Sequence, residues 1–281
     1  YEIASCLVGS EMCIRDRGDN SSNVVERAIE YWNGDEGKRG IVTLCWHWCP
    51  AARYDKSKSD PWGTFYTDKT KFNLARAMNG RDPDGYQMLL DDIDAIAVQL
   101  KRLQDADVPV LWRPLHEASG GWFWWGASGA DAYLQLYKLM YDRLTNVHGL
   151  NNLIWVWNGQ DAAWYPGDEY VDIIGEDIYP GKHVYTSQAA RFIKALSYTD
   201  TRKLITLSEN GCIPDPEQLV RDNIMWSYWC VWEGEFVLKA AGFNNYSEQY
   251  TEKNMLKKAY KSDTVITRKE LPDLRNYPLG D

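Results

Sequence analysis

No run of about eighteen apolar residues occurs in the 281-residue chain, so nothing in it reads as a membrane-spanning helix. Basic residues are in deficit: 31 Lys and Arg against 40 Asp and Glu leave a formal charge of −9. That balance argues against nucleic acid or an anionic membrane as partner, since both attract basic surfaces. Histidine is scarce, at four residues, and no spacing of cysteine and histidine resembles a zinc site. Repeats, low-complexity segments and interdomain linkers are also missing, which favours one domain. What the chain has in excess is aromatic side chains, 14 Trp and 18 Tyr, more than one hydrophobic core needs. Flat rings suit the C–H faces of sugars, and a neutral polysaccharide is indifferent to an acidic surface.

The rings are densest in VPVLWRPLHEASGGWFWWG, Val108–Gly126. A short apolar strand there delivers Glu117 into a patch of four aromatic residues, Trp122 to Trp125, after a bend permitted by Gly120 and Gly121. Period-two alternation assigns Leu111, Arg113, Leu115 and Glu117 to one face. The plainer reading makes Glu117 an ion-pair partner of Arg113 and the tryptophans core. A second carboxylate, Glu209, ends the strand LITLS at Leu204–Ser208, and the same alternation groups it with Ile205 and Leu207. Two strand-end carboxylates facing one pocket fit a retaining glycosidase, in which an acid protonates the departing oxygen and a carboxylate roughly 5–5.5 Å away attacks the anomeric carbon. Such chemistry requires neither metal nor organic cofactor. Burial among rings is expected to raise the pKa of Glu117 and so to separate the acid from the nucleophile.

Six strands are legible, at Ile41–Trp46, Val108–Leu115, Leu153–Trp157, Asp172–Tyr179, Leu204–Ser208 and Trp226–Trp232. Helical spacing marks Asn23–Trp32, Asp84–Asp107, Ala130–Val147, Gln188–Leu196 and Glu248–Tyr260. Alternation of the two predicts an α/β fold with a parallel sheet, and the length suits one (β/α)8 TIM barrel of about 250 residues, with its site at the strands' C-terminal ends. Cys45, Cys49, Cys212 and Cys230 read as reduced thiols packed as small hydrophobes rather than a disulfide framework.

The chain resembles glycoside hydrolase family 26 endo-β-mannanases from about Ile29 to its C-terminus. The resemblance is carried by IVTLCWHW (Ile41–Trp48), WRPLHEASGGWFWWG (Trp112–Gly126), NNLIWVWN (Asn151–Asn158), WYPGDEYVDIIGEDIY (Trp164–Tyr179), LSENGCIPDPE (Leu207–Glu217) and the segment Trp226–Trp232. It implies that Glu117 is the general acid/base and Glu209 the nucleophile of hydrolysis of β-linked mannan, glucomannan or galactomannan. It further implies sugar contacts from His47 and His116, aromatic platforms at Trp122 and Trp232 with Trp62 as another, and a Tyr179 phenol that holds the nucleophile. Asp177 shares the inward face with Tyr179, or else braces only Arg113 or a loop. The same chemistry on mixed-linkage glucan or xylan, or a non-catalytic carbohydrate-binding barrel, are the alternatives. A monomer acting outside the cell or at its surface is expected, because a polymer cannot enter a cell intact.

Counting strands suggests an N-terminally incomplete barrel. In the family the strand ending in WHW is the third, and each strand–helix unit takes about 30 residues. Only forty residues precede Ile41 here. Ser5–Arg17, SCLVGSEMCIRDR, back-translates to a transposase sequencing adaptor, so residues 1–17 are expected to be non-native and 18–281 to be the partial catalytic barrel.

Overall fold

A computed structural model describes residues 23–34, 40–57, 63–239 and 245–274. Expectations for residues 1–17 and for Trp62 lie outside these. In chain order the main elements are α1 (Val24–Asn33), β1 (Val42–Cys45), α2 (Leu74–Met78), α3 (Pro83–Asp105), β2 (Val110–Arg113), α4 (Ala130–Asp142) and β3 (Leu153–Trp157). They continue with β4 (Ile173–Ile178), α5 (Ala189–Leu196), β5 (Leu204–Asn210), α6 (Pro216–Asp222), β6 (Trp229–Val231) and α7 (Lys253–Tyr260). Each of the six expected strands is present. All pair in parallel, in the order β1-β2-β3-β4-β5-β6, and the sheet curls into a half-barrel.

Sequential parallel pairing requires a crossover after every strand, and the helices supply most of them. In α3 the Asp82 side chain caps the start by accepting the Gly85 N–H at 2.9 Å, and Pro83 fits the first turn because its missing N–H has no partner to lose there. Met88, Leu89, Ile93, Ile96, Ala97, Leu100 and Leu103 are all buried along one stripe. Burial of each large aliphatic side chain contributes about 1.5–3 kcal/mol. The expected helix Ala130–Val147 is one helical run in two forms: α4 passes at Arg143 into a wider π turn, Arg143–Val147. Arg143 grips Asp94 of α3 there through two nitrogens, at 2.5 and 2.6 Å.

Both faces of the sheet are buried, as in parallel sheets generally. Trp112, Trp155, Trp157, Ile174, Ile205 and Leu207 face the helices within the main apolar cluster. On the opposite face Leu111, Val156 and Ile173 pack together with Ile154 and Tyr228. Alternation from this second face leads along β2 to Arg113, beyond β3 to Asn158 and along β4 to Asp177, so three polar residues end up above one small apolar floor. The four described cysteines are buried. Among the described residues no helix is long and apolar enough to cross a membrane.

Candidate active site

Glu117 reaches the site by a route other than strand alternation. β2 ends at Arg113, and both Leu115 (φ 53°) and Glu117 (φ 51°) adopt left-handed backbone, which scrambles the two-residue parity. Non-glycine residues in this region carry strain, and the surroundings must hold them there. The hold on Glu117 is Asn158: its carbonyl accepts the Glu117 N–H at 2.7 Å and its side-chain Oδ1 at 2.9 Å. The loop that follows is clipped to the segment after β1. Thr67 N–H donates to the Trp122 carbonyl at 2.7 Å, and Trp124 N–H to the Phe65 carbonyl at 3.1 Å.

The tryptophans then divide. Trp124 and Trp125 are core, 1% and 0% exposed, whereas Trp122 is 47% exposed and its indole N–H donates to Glu117 Oε2 at 2.9 Å. Its ring lies so close over Gly120 that a Cβ there would sit 2.1 Å from ring carbons.

For Glu209 the parity expectation needs a correction. Ile205 and Leu207 face the helices, yet Glu209 faces Arg113. The cause is a register shift between β4 and β5: Glu176 pairs with Leu207, but the next residue, Asp177, pairs with Glu209, leaving Ser208 as the extra residue of a bulge. Ser208 and Glu209 both turn to the polar side as a result. Ser208 donates to Asp177 Oδ1 at 2.6 Å, and Glu209 accepts from the Tyr179 hydroxyl at 2.6 Å.

Arg113, 2% exposed, sits between the carboxylates. Its guanidinium donates to Asp177 Oδ2 at 2.9 Å and to Glu209 Oε1, and the plainer expectation of a pair with Glu117 is not what forms. One oxygen each from Glu117, Asp177 and Glu209 lie within 4.8 Å of one another. Among the described residues this is the acidic group spaced to share a metal ion, and Arg113 already supplies positive charge to two of its members.

Burial, reinforced by the charge of Glu209, raises the pKa of Glu117 against the opposing pull of Arg113 and of the Trp122 N–H. Burial likewise pushes Asp177 up, opposed first by Arg113. Tyr179 is driven upward by desolvation and by Glu209, so it remains a hydrogen-bond donor. His116 is held well below its ordinary value, chiefly by burial, and is a neutral imidazole.

The remaining expected residues gather around the His47 ring. The His47 and His116 rings meet edge-on at 4.8 Å within an aromatic cluster that includes Phe65 and Phe123. Trp232, half-buried, faces the His47 ring at 6.5 Å. Sequence reasoning gave Asn158 no role, although it closes the NNLIWVWN motif. Its Nδ2 lies 2.9 Å from the Gly175 carbonyl, 3.1 Å from Asp177 Oδ1 and 3.1 Å from Ser208 Oγ, so one buried amide ties together the ends of β3, β4 and β5.

A paired-carboxylate pocket of this kind recurs on unrelated folds, and relatives decide the lineage. Residues 10–270 match the model of glycosyl hydrolase family 26. The chain belongs to that family. A mannan endo-1,4-β-mannosidase of Thermothelomyces thermophilus is 44% identical over 262 residues, covering 91% of this chain and 52% of that protein. Mannan endo-1,4-β-mannosidase A of a Piromyces species is 38% identical over 250 residues, 89% of this chain and 38% of that one. The chain thus spans about half the length of the first of these family 26 relatives and less of the second. Among solved structures, the Podospora anserina GH26-CBM35 β-(1,4)-mannanase superposes with a TM-score of 0.78 at 36% identity, covering 92% of this chain and 56% of its own. A β-mannanase from a symbiotic protist of the termite Reticulitermes speratus, complexed with gluco-manno-oligosaccharide, gives 0.74 at 36% identity, with 90% and 73% covered. These family 26 neighbours are TIM barrels.

Proposed function

We propose that the protein hydrolyses internal β-1,4-mannosidic linkages of mannan, glucomannan or galactomannan with retention of anomeric configuration. The observation that carries the mechanism is the asymmetric carboxylate pair. Glu117 has its pKa raised by burial and by Glu209, while Glu209 is held by Arg113 and Tyr179 with an oxygen within 4.8 Å of one from Glu117. That spacing suits direct attack better than the roughly 6.5–9.5 Å gap that leaves room for water in an inverting enzyme.

Glu209 attacks the anomeric carbon as protonated Glu117 gives its proton to the departing glycosidic oxygen, and a glycosyl ester on Glu209 results. Glu117, now a carboxylate, removes a proton from water, the water oxygen displaces Glu209, and both groups return to their starting states. Arg113 donates to one oxygen of Glu209 and the Tyr179 hydroxyl to the other, which together fix the orientation of the nucleophile, and Trp122 offers an exposed ring beside the acid. The mannan specificity and internal cleavage rest on the named activities of the two mannosidases above, and the glucomannan reading on the oligosaccharide bound by the protist enzyme. Action outside the cell follows from a polymeric substrate.

The test is product release from mannohexaose, with Glu117→Ala and Glu209→Ala as controls and the anomer of the first product read by proton NMR. Expected are β-configured products from the parent and a loss of at least roughly a hundredfold in both folded variants. A first product in the α configuration refutes retention, and a folded parent that cleaves only glucan or xylan moves the substrate assignment.

A further inference from the structure

The loop that docks Glu117 is itself held from the far side of the sheet. Asn158 and Gly159 contact the acid's loop: Asn158 accepts the Glu117 N–H through both of its oxygens, and the Gly159 carbonyl accepts the Ser119 N–H at 3.3 Å. The next residue, Gln160, adopts a left-handed backbone (φ 61°) and is anchored by three donors from α5 and the turn after it. Arg191 Nη2 donates to Gln160 Oε1 at 2.7 Å, while Lys194 Nζ at 3.2 Å and the Tyr198 hydroxyl at 2.9 Å donate to the Gln160 carbonyl. Arg191 in turn is fixed by Glu176, which is 0% exposed on the helix-facing side of β4 and accepts the Arg191 Nε at 2.8 Å.

A buried carboxylate is costly unless paired, and the Glu176 Oε1 atom has no hydrogen-bond partner among the described residues. A hydrophobic residue at this position would pack against α5 without that cost. What the ion pair adds is a guanidinium of fixed orientation whose Nη2, shared between Glu176 and Gln160, ties the two together. We propose that Arg191 is a positioning residue for the acid/base: anchored to β4 by Glu176, it fixes Gln160 and so the turn 158–160 on which the backbone of Glu117 rests.

This proposal rests on the reading of Glu117 as the acid, and leaving-group dependence separates the two. When a sugar departs, the breaking C–O bond needs the Glu117 proton. A dinitrophenolate departs as a stable anion without it, and kcat/KM on dinitrophenyl β-mannobioside reports only steps up to that departure. Gln160→Ala cuts the link while leaving the Arg191–Glu176 pair intact, so it is the decisive variant should Arg191→Met, which strands Glu176, fail to fold. Expected is a fall in kcat/KM of about tenfold on mannohexaose for Gln160→Ala, with less than about a twofold change on the aryl glycoside. Glu117→Ala should show the same pattern at larger amplitude. Equal losses on both substrates, or none on either, overturn the positioning role. If Glu117→Ala lacks the pattern, the acid assignment itself fails.

Discussion

Tyr179 and Glu209 form a contact that rests on a single oxygen atom. Tyr179 as a residue is 43% exposed, so loss of its hydroxyl alone leaves no large cavity, yet that hydroxyl donates to the proposed nucleophile at 2.6 Å. Hydrogen bonds to charged groups contribute about 1.5–3 kcal/mol. Tyr179→Phe should therefore lower kcat/KM on mannohexaose by roughly ten- to a hundredfold with the melting temperature almost unchanged. A variant as fast as the parent would remove Tyr179 from the mechanism. Glu117 carries a prediction in pH. Its folded-state pKa is raised, so the folded protein holds this proton more tightly than the unfolded chain. The associated stability is fully present below the unfolded glutamate pKa and is lost as pH rises through the folded value. Replacement by the neutral amide removes that loss, so the melting temperature of Glu117→Gln minus that of the parent should grow between pH 4 and pH 8. A gap that stays flat or shrinks would contradict the burial and charge account of this carboxyl.

The strands were legible because buried parallel strands read as apolar runs, and Leu153–Trp157 keeps its expected limits to the residue. Alternation fails at two places, past the end of β2 and inside β5. Past Arg113 the chain turns left-handed, and at Ser208 an added residue reverses the parity, so that Glu209 parts from Ile205 and Leu207. The structure brings both glutamates together, but not by the period-two facing argued from the sequence, since the extra residue of a bulge leaves no mark in a single sequence. Asn158 was passed over for a different reason. Its side-chain partners lie 17 to 50 residues away in sequence, and only the register of three strands brings them together. The loop carrying Glu117 offers a test at this level. A Cβ on Gly126 would lie 2.0 Å from the Ala118 carbonyl oxygen, a backbone atom next to the acid that cannot move alone. Gly126→Ala should displace the loop and cut activity by about a hundredfold or more, a cost that displacement of roughly 1 Å can impose. Full activity in Gly126→Ala would mean the loop tolerates the shift.

Across the whole molecule the acidic balance, −9, bears on the proposed neutral polymeric substrate. Mannan carries no charge, so surface fields neither steer nor repel it, and screening by salt has nothing to act on. KM for mannan should change by less than about twofold between low salt and 0.3 M sodium chloride, where the Debye length falls to roughly 6 Å. A steep salt dependence would point to a charged substrate instead. The interior meets a different requirement. Arg113, Asp177, Ser208 and Asn158 interlock below the surface, and through Asn158 one amide fixes the backbone of Glu117 as well as the side chains around Glu209. The gap between the two glutamates is therefore gauged inside the sheet, as if by a ruler built into the floor. Rim loops not tied to this floor could then be lengthened or exchanged, changing which sugars the proposed enzyme admits, while the distance between the carboxylates stays as it was.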